Sequence, residues 1–258
     1  MDLARALLPH ALAFALAFAR VGGFVTVSPF PGPHVATTAR VGLTVVLAFV
    51  ATSIAPPPAA ALGLDLKLVG LTASELGVGL IFGVAFRFVL AAGEMLAQTV
   101  AQSTGLAMPS VFNPTLEAQD TALGQAITLA ALAIALSLGA HRVALGWLLE
   151  SFRAIPLGAT VAHHAAMHTF VDLAAQALAV GLRLSLPVVA ATLAAQAALA
   201  MIARAAPSLQ IFSVGLTVLL GGGLLVFSAS LGDVQVGLGE HIATLGARLE
   251  QVTADIAP

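Results

Sequence analysis

Charged residues are so scarce in this chain that the gaps between them outline the fold. Val41 to Leu64 is 24 residues without a charge, Thr121 to Ala140 is 20, and 14 uncharged residues separate Arg5 from Arg20. About 20 apolar residues carry a helix across the hydrocarbon core of a bilayer, so each gap is long enough, or nearly so, to be a span. Only 9% of the 258 residues are charged and 59% are hydrophobic, whereas a soluble domain carries about 25% charged residues. Ten basic and twelve acidic side chains cannot cover a soluble globule of this length. The composition therefore predicts an all-α membrane protein crossing the bilayer several times. The formal net charge of −2 leaves no basic stripe for a phosphate backbone, which argues against nucleic acid as a partner. The absence of cysteine excludes disulfides, thiolate metal sites and cysteine nucleophiles, and leaves the compartment open.

Prolines and charges punctuate the gaps into six long hydrophobic helices, expected over 4–27, 38–55, 72–103, 121–140, 165–205 and 208–230, within one domain spanning 1–258. Pro29, Pro31 and Pro33 separate the first two helices, and Pro56-Pro57-Pro58 ends the second. Ala17-Phe18-Ala19 resembles a signal-peptide cleavage site, but the apolar run continues past it and the positive start expected of a leader is missing. The third helix is unusual because it carries Glu75, Arg87 and Glu94 and exceeds the length a bilayer needs. Between the fourth and fifth helices, His141, Arg142, Glu150 and Arg153 alternate with Leu145, Trp147, Leu148, Leu149 and Phe152, as in a short amphipathic interfacial helix. The fifth helix is expected to bend at Pro187, and residues 232–258 read as a polar tail, a helix or frayed extension in water. Basic residues in alternate loops place the N-terminus in the cytoplasm by the positive-inside rule.

Chemistry-bearing patterns are few. No Walker A loop, Gly-x-Ser-x-Gly elbow or His-Glu-x-x-His occurs, so no catalytic residue is assigned and neither a cofactor nor an enzymatic activity is expected. His164, His168 and Asp172 share a helical face and lie beside His163, but they lack a fourth ligand, and no metal site is assigned. Gly79 and Gly83 form a small-xxx-small pair suited to close helix packing. Glu75, Arg87 and Glu94 are costly inside hydrocarbon and each demands a partner or water. A relay of protons or substrate would make the protein a secondary transporter; polar contacts between subunits would make it part of an assembly. The second reading is preferred, because the second, fourth and sixth helices are almost devoid of ionisable groups. Arg20, inside the first helix, must likewise be paired or lie near an interface.

Five stretches in order resemble the FliR family, subunits of the flagellar type III export gate. They are Ala19-Arg20-Val21-Gly22-Gly23-Phe24-Val25, followed by Pro29-Phe30; Arg40-Val41-Gly42-Leu43; Glu75-Leu76-Gly77-Val78-Gly79, leading to Arg87 and Gly93-Glu94; Glu150 through Gly158; and Ala203 through Phe212. The resemblance covers nearly the whole chain. It implies a non-enzymatic subunit whose assembled helices form inclined hairpins in a spiral, largely above the bilayer plane, together with FliP and FliQ and with a FlhB-like switch subunit nearby, at the bacterial inner membrane in the flagellar basal body. Unfolded flagellar substrates would pass through the assembly. It further implies that the Pro-containing loop over 104–120 plugs the channel, with Gly105, Phe112 and Pro114 at matching places and Met108 departing from the family pattern. Gly215-Leu216-Thr217 departs too, where the family often has Gly-Phe-Pro. A homologous injectisome subunit fits the same residues.

Overall fold

The computed structural model describes residues 2–30, 35–55, 66–105, 122–159, 167–205 and 211–256. Among these there are seven helices and no strand: α1 (Asp2–Val27), α2 (Thr37–Ile54), α3 (Leu66–Ser103), α4 (Ala122–Ser137), α5 (Ala140–Ala154), α6 (Met167–Ala205) and α7 (Ile211–Ile256). Five helices are long and apolar enough to cross a membrane, and α4 with α5 supplies a sixth if that broken pair counts as one span. The break falls at Gly139, whose φ of +83° suits a residue without Cβ. The structure thus has a separate helix α5 where the amphipathic segment is expected, and it buries Ala140, Ala144, Leu148, Ser151 and Phe152.

Two helices run further than the charge pattern suggests. Helix α3 starts at Leu66 rather than near 72, and α7 continues through the segment expected as a polar tail, to Ile256. The reason is visible in α7 itself. Phe227, Ser230, Val234, Leu238, His241 and Ile242 are buried, at spacings of three and four that place them on one helical face. Asp233 and Glu240, which are exposed, lie off this buried face. Helix α6 runs from Met167 to Ala205 with Pro187 inside it.

The chain divides into two compact units: Met1–Val89 with Gly139–Ala174 and Thr244–Pro258, and Leu90–Leu138 with Ala175–Ala243. In the first unit, Leu12, Leu16, Arg20 and Phe24 form an i, i+4 row on α1, and all four are buried. Against them α3 presents Glu75, Val78, Phe82, Ala85 and Phe86, all buried, and the rings of Phe24 and Phe86 stack with centroids 6.3 Å apart. Helix α2 packs on α1 and also touches α5. It buries only Thr44, Ala48 and Ala51 and leaves Val41, Val45, Val46 and Phe49 exposed.

In the second unit the later part of α3 buries Ala92, Leu96 and Val100, and Thr104 in the turn that follows is buried too. Small residues set the helix spacing there. A Cβ on Gly181 of α6 would stand 2.6 Å from the Ala92 carbonyl oxygen, and one on Gly93 would stand 2.8 Å from the Ala131 methyl of α4. At Gly223 of α7 a Cβ would overlap the Thr104 side chain. Glycine lets α6 reach the α3 backbone at Ala92 and leaves room for the Ala131 and Thr104 side chains at the other two points.

Candidate functional site: a buried arginine joining three segments

The α1–α3 seam is a glycine seam. A Cβ on Gly79 would collide with the Arg20 carbonyl oxygen, one on Gly83 would stand 2.9 Å from the Phe24 carbonyl, and one on Gly23 would stand 2.5 Å from the Leu76 carbonyl. Gly23 on α1 faces Gly79 across this seam. This close approach brings the Arg20 and Glu75 side chains into direct contact.

Arg20 is fully buried. Its Nε donates to Glu75 Oε2 at 2.6 Å, and its Nη1 donates to two backbone carbonyls at 3.0 Å each, those of Ser151 and Ile155. The first belongs to the last turn of α5 and also accepts the Ile155 N–H, and the second belongs to the residue that closes the helix, where carbonyls lack intrahelical donors. A cation there also complements the negative end of the helix dipole. Arg20 therefore caps a helix more than a hundred residues away in sequence. Its guanidinium carbon lies 4.5 Å from the centre of the Phe152 ring, a cation–π contact that covers the face of the group.

Glu75 completes the arrangement from the other side. It is 3% exposed, and its Oε1 accepts the backbone N–H of Gly158 at 2.9 Å. Gly158 adopts φ +78° in the turn Ile155-Pro156-Leu157-Gly158. That left-handed conformation suits a residue without Cβ. Ile155 and Leu157 are buried beside it. One ion pair thus ties α1, α3 and the end of α5 together. With Oε2 held by a cation and Oε1 by an amide, both oxygens of the Glu75 carboxylate are engaged. Arg20 Nη2 is buried and makes no hydrogen bond among the described residues.

The three acidic and basic positions grouped from the sequence are not equivalent. Glu75 is in the node, whereas Arg87 is exposed and Glu94 half-buried. Among the described residues, neither Arg87 nor Glu94 takes part in an ion pair; the pairs found are Arg20–Glu75 and the surface pair Glu150–Arg153. Of the expected plug, Gly105 has φ +79° in the turn that follows α3, and Met108, Phe112 and Pro114 lie outside the described residues. So do His163 and His164; among the described residues no group of metal-ligating side chains occurs. Arg20 was the residue whose role the sequence did not reveal. Its signal was a cation within an apolar helix, and what it lacked was any indication of which acid it meets.

Residues 11–244 match the family model described as bacterial export proteins, family 1. The chain belongs to the FliR family of bacterial export proteins. It is 30% identical over 209 residues to the flagellar biosynthetic protein FliR of Bacillus subtilis, covering 79% of this chain and 80% of that one. Over 225 residues it is 28% identical to FliR of Caulobacter vibrioides, covering 84% and 88%. FliR of Aquifex aeolicus is 24% identical over 227 residues, covering 88% of each. Arg20, Glu75, Ser151, Ile155 and Gly158 all lie inside the matched FliR region, so the buried node is part of the family portion of the chain.

Proposed function

We propose that this FliR-family chain is a non-enzymatic structural and gating subunit of the flagellar type III export apparatus in the bacterial inner membrane, at the basal body. It assembles with FliP-like and FliQ-like subunits, and with a FlhB-like switch subunit, around the path taken by unfolded flagellar substrates. The observation that carries the reading is the family match across residues 11–244. The distribution of side chains agrees with it. Arg20 and Glu75 neutralise each other internally, while α2 and α6 turn outward large apolar side chains such as Phe49, Val171, Leu193 and Met201. Such surfaces ask for lipid or for apolar partner helices.

In this reading the segment over 104–120 closes the channel at rest, through Gly105, Met108, Phe112 and Pro114, and its displacement admits a substrate chain. Deleting residues 106–114 tests it. The expected result is increased ion leakage across the inner membrane with export retained; unchanged leakage with export retained overturns the plug. A mild-detergent pull-down of the tagged chain from its host tests the assembly, by recovery of FliP-like and FliQ-like subunits in one stable complex. Loss of swimming in a deletion strain separates the flagellar role from that of a homologous injectisome subunit.

A further inference from the structure

Three helices pack on the second half of α3 within the second unit. Helix α6 reaches it at Ala92, through Gly181, and at Ser103, whose carbonyl accepts Gln196 Nε2 at 3.4 Å. Helix α4 meets it at Gly93, and α7 meets the turn that follows at Thr104. The side left over carries Glu94, Gln98 and Gln102. Their i, i+4, i+8 spacing sets them in one row that rises about 12 Å along the helix. Gln98 and Gln102 are exposed and Glu94 is half-buried. Among the described residues none of these three side chains has a hydrogen-bond or ion-pair partner.

The row stands out from the helices at its own level. Between its two contacts with α3, α6 exposes Leu182, Leu186 and Leu193, and α7 exposes Leu216 and Val218 where it passes Gly105. Two helices thus offer apolar side chains outward while the third offers a carboxylate and two amides. Hydrocarbon cannot satisfy those groups, and polar side chains within spans face protein or a water-filled path. A close partner helix is disfavoured, because α3 presents glycine where helices approach it, at Gly79, Gly83 and Gly93, and the row has none. Water fits, since each amide offers two donors and a two-lone-pair acceptor. The row ends three residues before Gly105, beside the 104–120 segment. We infer that Gln98 and Gln102, with Glu94 at the head of the row, form a wetted strip along which the unfolded substrate slides, and that the two amides make this contact indifferent to the charge of the passing chain. The inference rests on the export-channel reading above. Its occupant is an extended polypeptide in water. Leucine at these positions would hold apolar segments, and a charged side chain would hold segments of opposite sign. A neutral amide exchanges its hydrogen bonds between water and peptide for little net gain, and conduction requires contacts weak enough to leave.

The chain has no cysteine, so Glu94→Cys, Gln98→Cys and Gln102→Cys, one at a time, report the row, and Leu178→Cys reports the exposed apolar face of α6. Each is placed in the chain with residues 106–114 deleted, within its host. Inner-membrane vesicles are treated with a charged, lipid-impermeant maleimide, with and without a substrate stalled by a folded fusion domain. The expected result is labelling at 98 and 102 that is lost when the substrate is stalled, with position 178 unaffected by stalling. Ion leakage is read on the same vesicles. Leakage that the stalled substrate blocks, without protection at 98 and 102, overturns the strip and leaves the channel standing. No labelling at 98 and 102 in a leaking variant overturns it too and assigns the row to a partner helix. Absence of leakage overturns the plug reading and this inference together. Charge indifference is tested with residues 106–114 intact, in the paired variants Gln98→Lys with Gln102→Lys and Gln98→Glu with Gln102→Glu. Two substrates that differ only in carrying a lysine run or a glutamate run are exported. The ratio of their export rates should shift several-fold, in opposite directions in the two variants. Equal loss for both substrates overturns contact with the moving chain.

Discussion

Arg20 and Glu75 sit 55 positions apart in sequence and share a 2.6 Å hydrogen bond with almost no solvent on either side chain. The pair joins α1 to α3, and its remaining hydrogen bonds reach the end of α5. Two charges removed from water in this way are costly individually, and the cost is offset by the hydrogen bonds of Arg20 Nη1 to two carbonyls and of the Gly158 amide to Glu75. A subunit that must present apolar faces outward gains one rigid internal corner from this arrangement.

Removing one partner should therefore cost more than removing both. Glu75→Gln or Arg20→Met leaves an uncompensated buried polar group, with an expected loss of about 3–5 kcal/mol, seen as poor accumulation and a lowered melting temperature in detergent. The double variant Arg20→Met with Glu75→Leu should recover a large part of the loss. Equal, additive losses would show that the two side chains act independently. Trp147, the single tryptophan, supplies the fluorescence signal.

Glycine substitutions should divide by what surrounds each residue. Gly79→Ala places a methyl on the Arg20 carbonyl and must force α1 and α3 apart, so a destabilisation of several kcal/mol is expected, on the order of a badly overpacked core. Gly42→Ala meets nothing within 4 Å in the middle of α2, and should be neutral or raise stability by up to about 1 kcal/mol through helix propensity. Thermal unfolding of the two variants side by side, followed by Trp147 fluorescence, checks both signs.

At the end of α3, Gly223→Val should collide with Thr104. Pairing it with Thr104→Ala should restore part of the lost stability, because the Thr104 hydroxyl bonds only to its own helix, at Val100 and Ala101. A double variant less stable than the sum of the singles would show that the contact is not the source of the effect. Thermal melts of the three variants give the coupling directly.

Arg87 separates the assembly reading from transport. It is exposed and takes part in no ion pair among the described residues, so Arg87→Ala should leave the melting temperature of the isolated chain within about 0.5 kcal/mol of equivalent stability. It should nevertheless reduce recovery of partner subunits in a detergent pull-down. Unchanged recovery combined with loss of solute uptake would favour a transporter instead.

Much of the fold was legible because hydrophobic length is a local property. The gaps after Arg40 and Asp120 found α2 and α4, and the prolines near 30 and 57 found the breaks between helices. The limits of α7 were not legible in the same way, since Asp233, Glu240 and Arg248 look like a solvated tail until the buried face of Val234, Leu238 and Ile242 is seen. Glu75, Arg87 and Glu94 looked alike in sequence because each is simply a charge in an apolar helix.

By itself the sequence determined the class of the protein. A chain with so few charges and such long apolar runs must place its backbone in helices, because hydrocarbon offers no other hydrogen-bonding partner. The ordered stretches from Ala19 to Phe212 carried the family. Only the tertiary structure decided which charges are satisfied internally. Arg20 is neutralised because Gly23, Gly79 and Gly83 let α1 and α3 approach to backbone contact, and because a turn at Gly158 turns its amide toward Glu75. Those are distances between residues remote in sequence, and no local pattern of apolar residues encodes them.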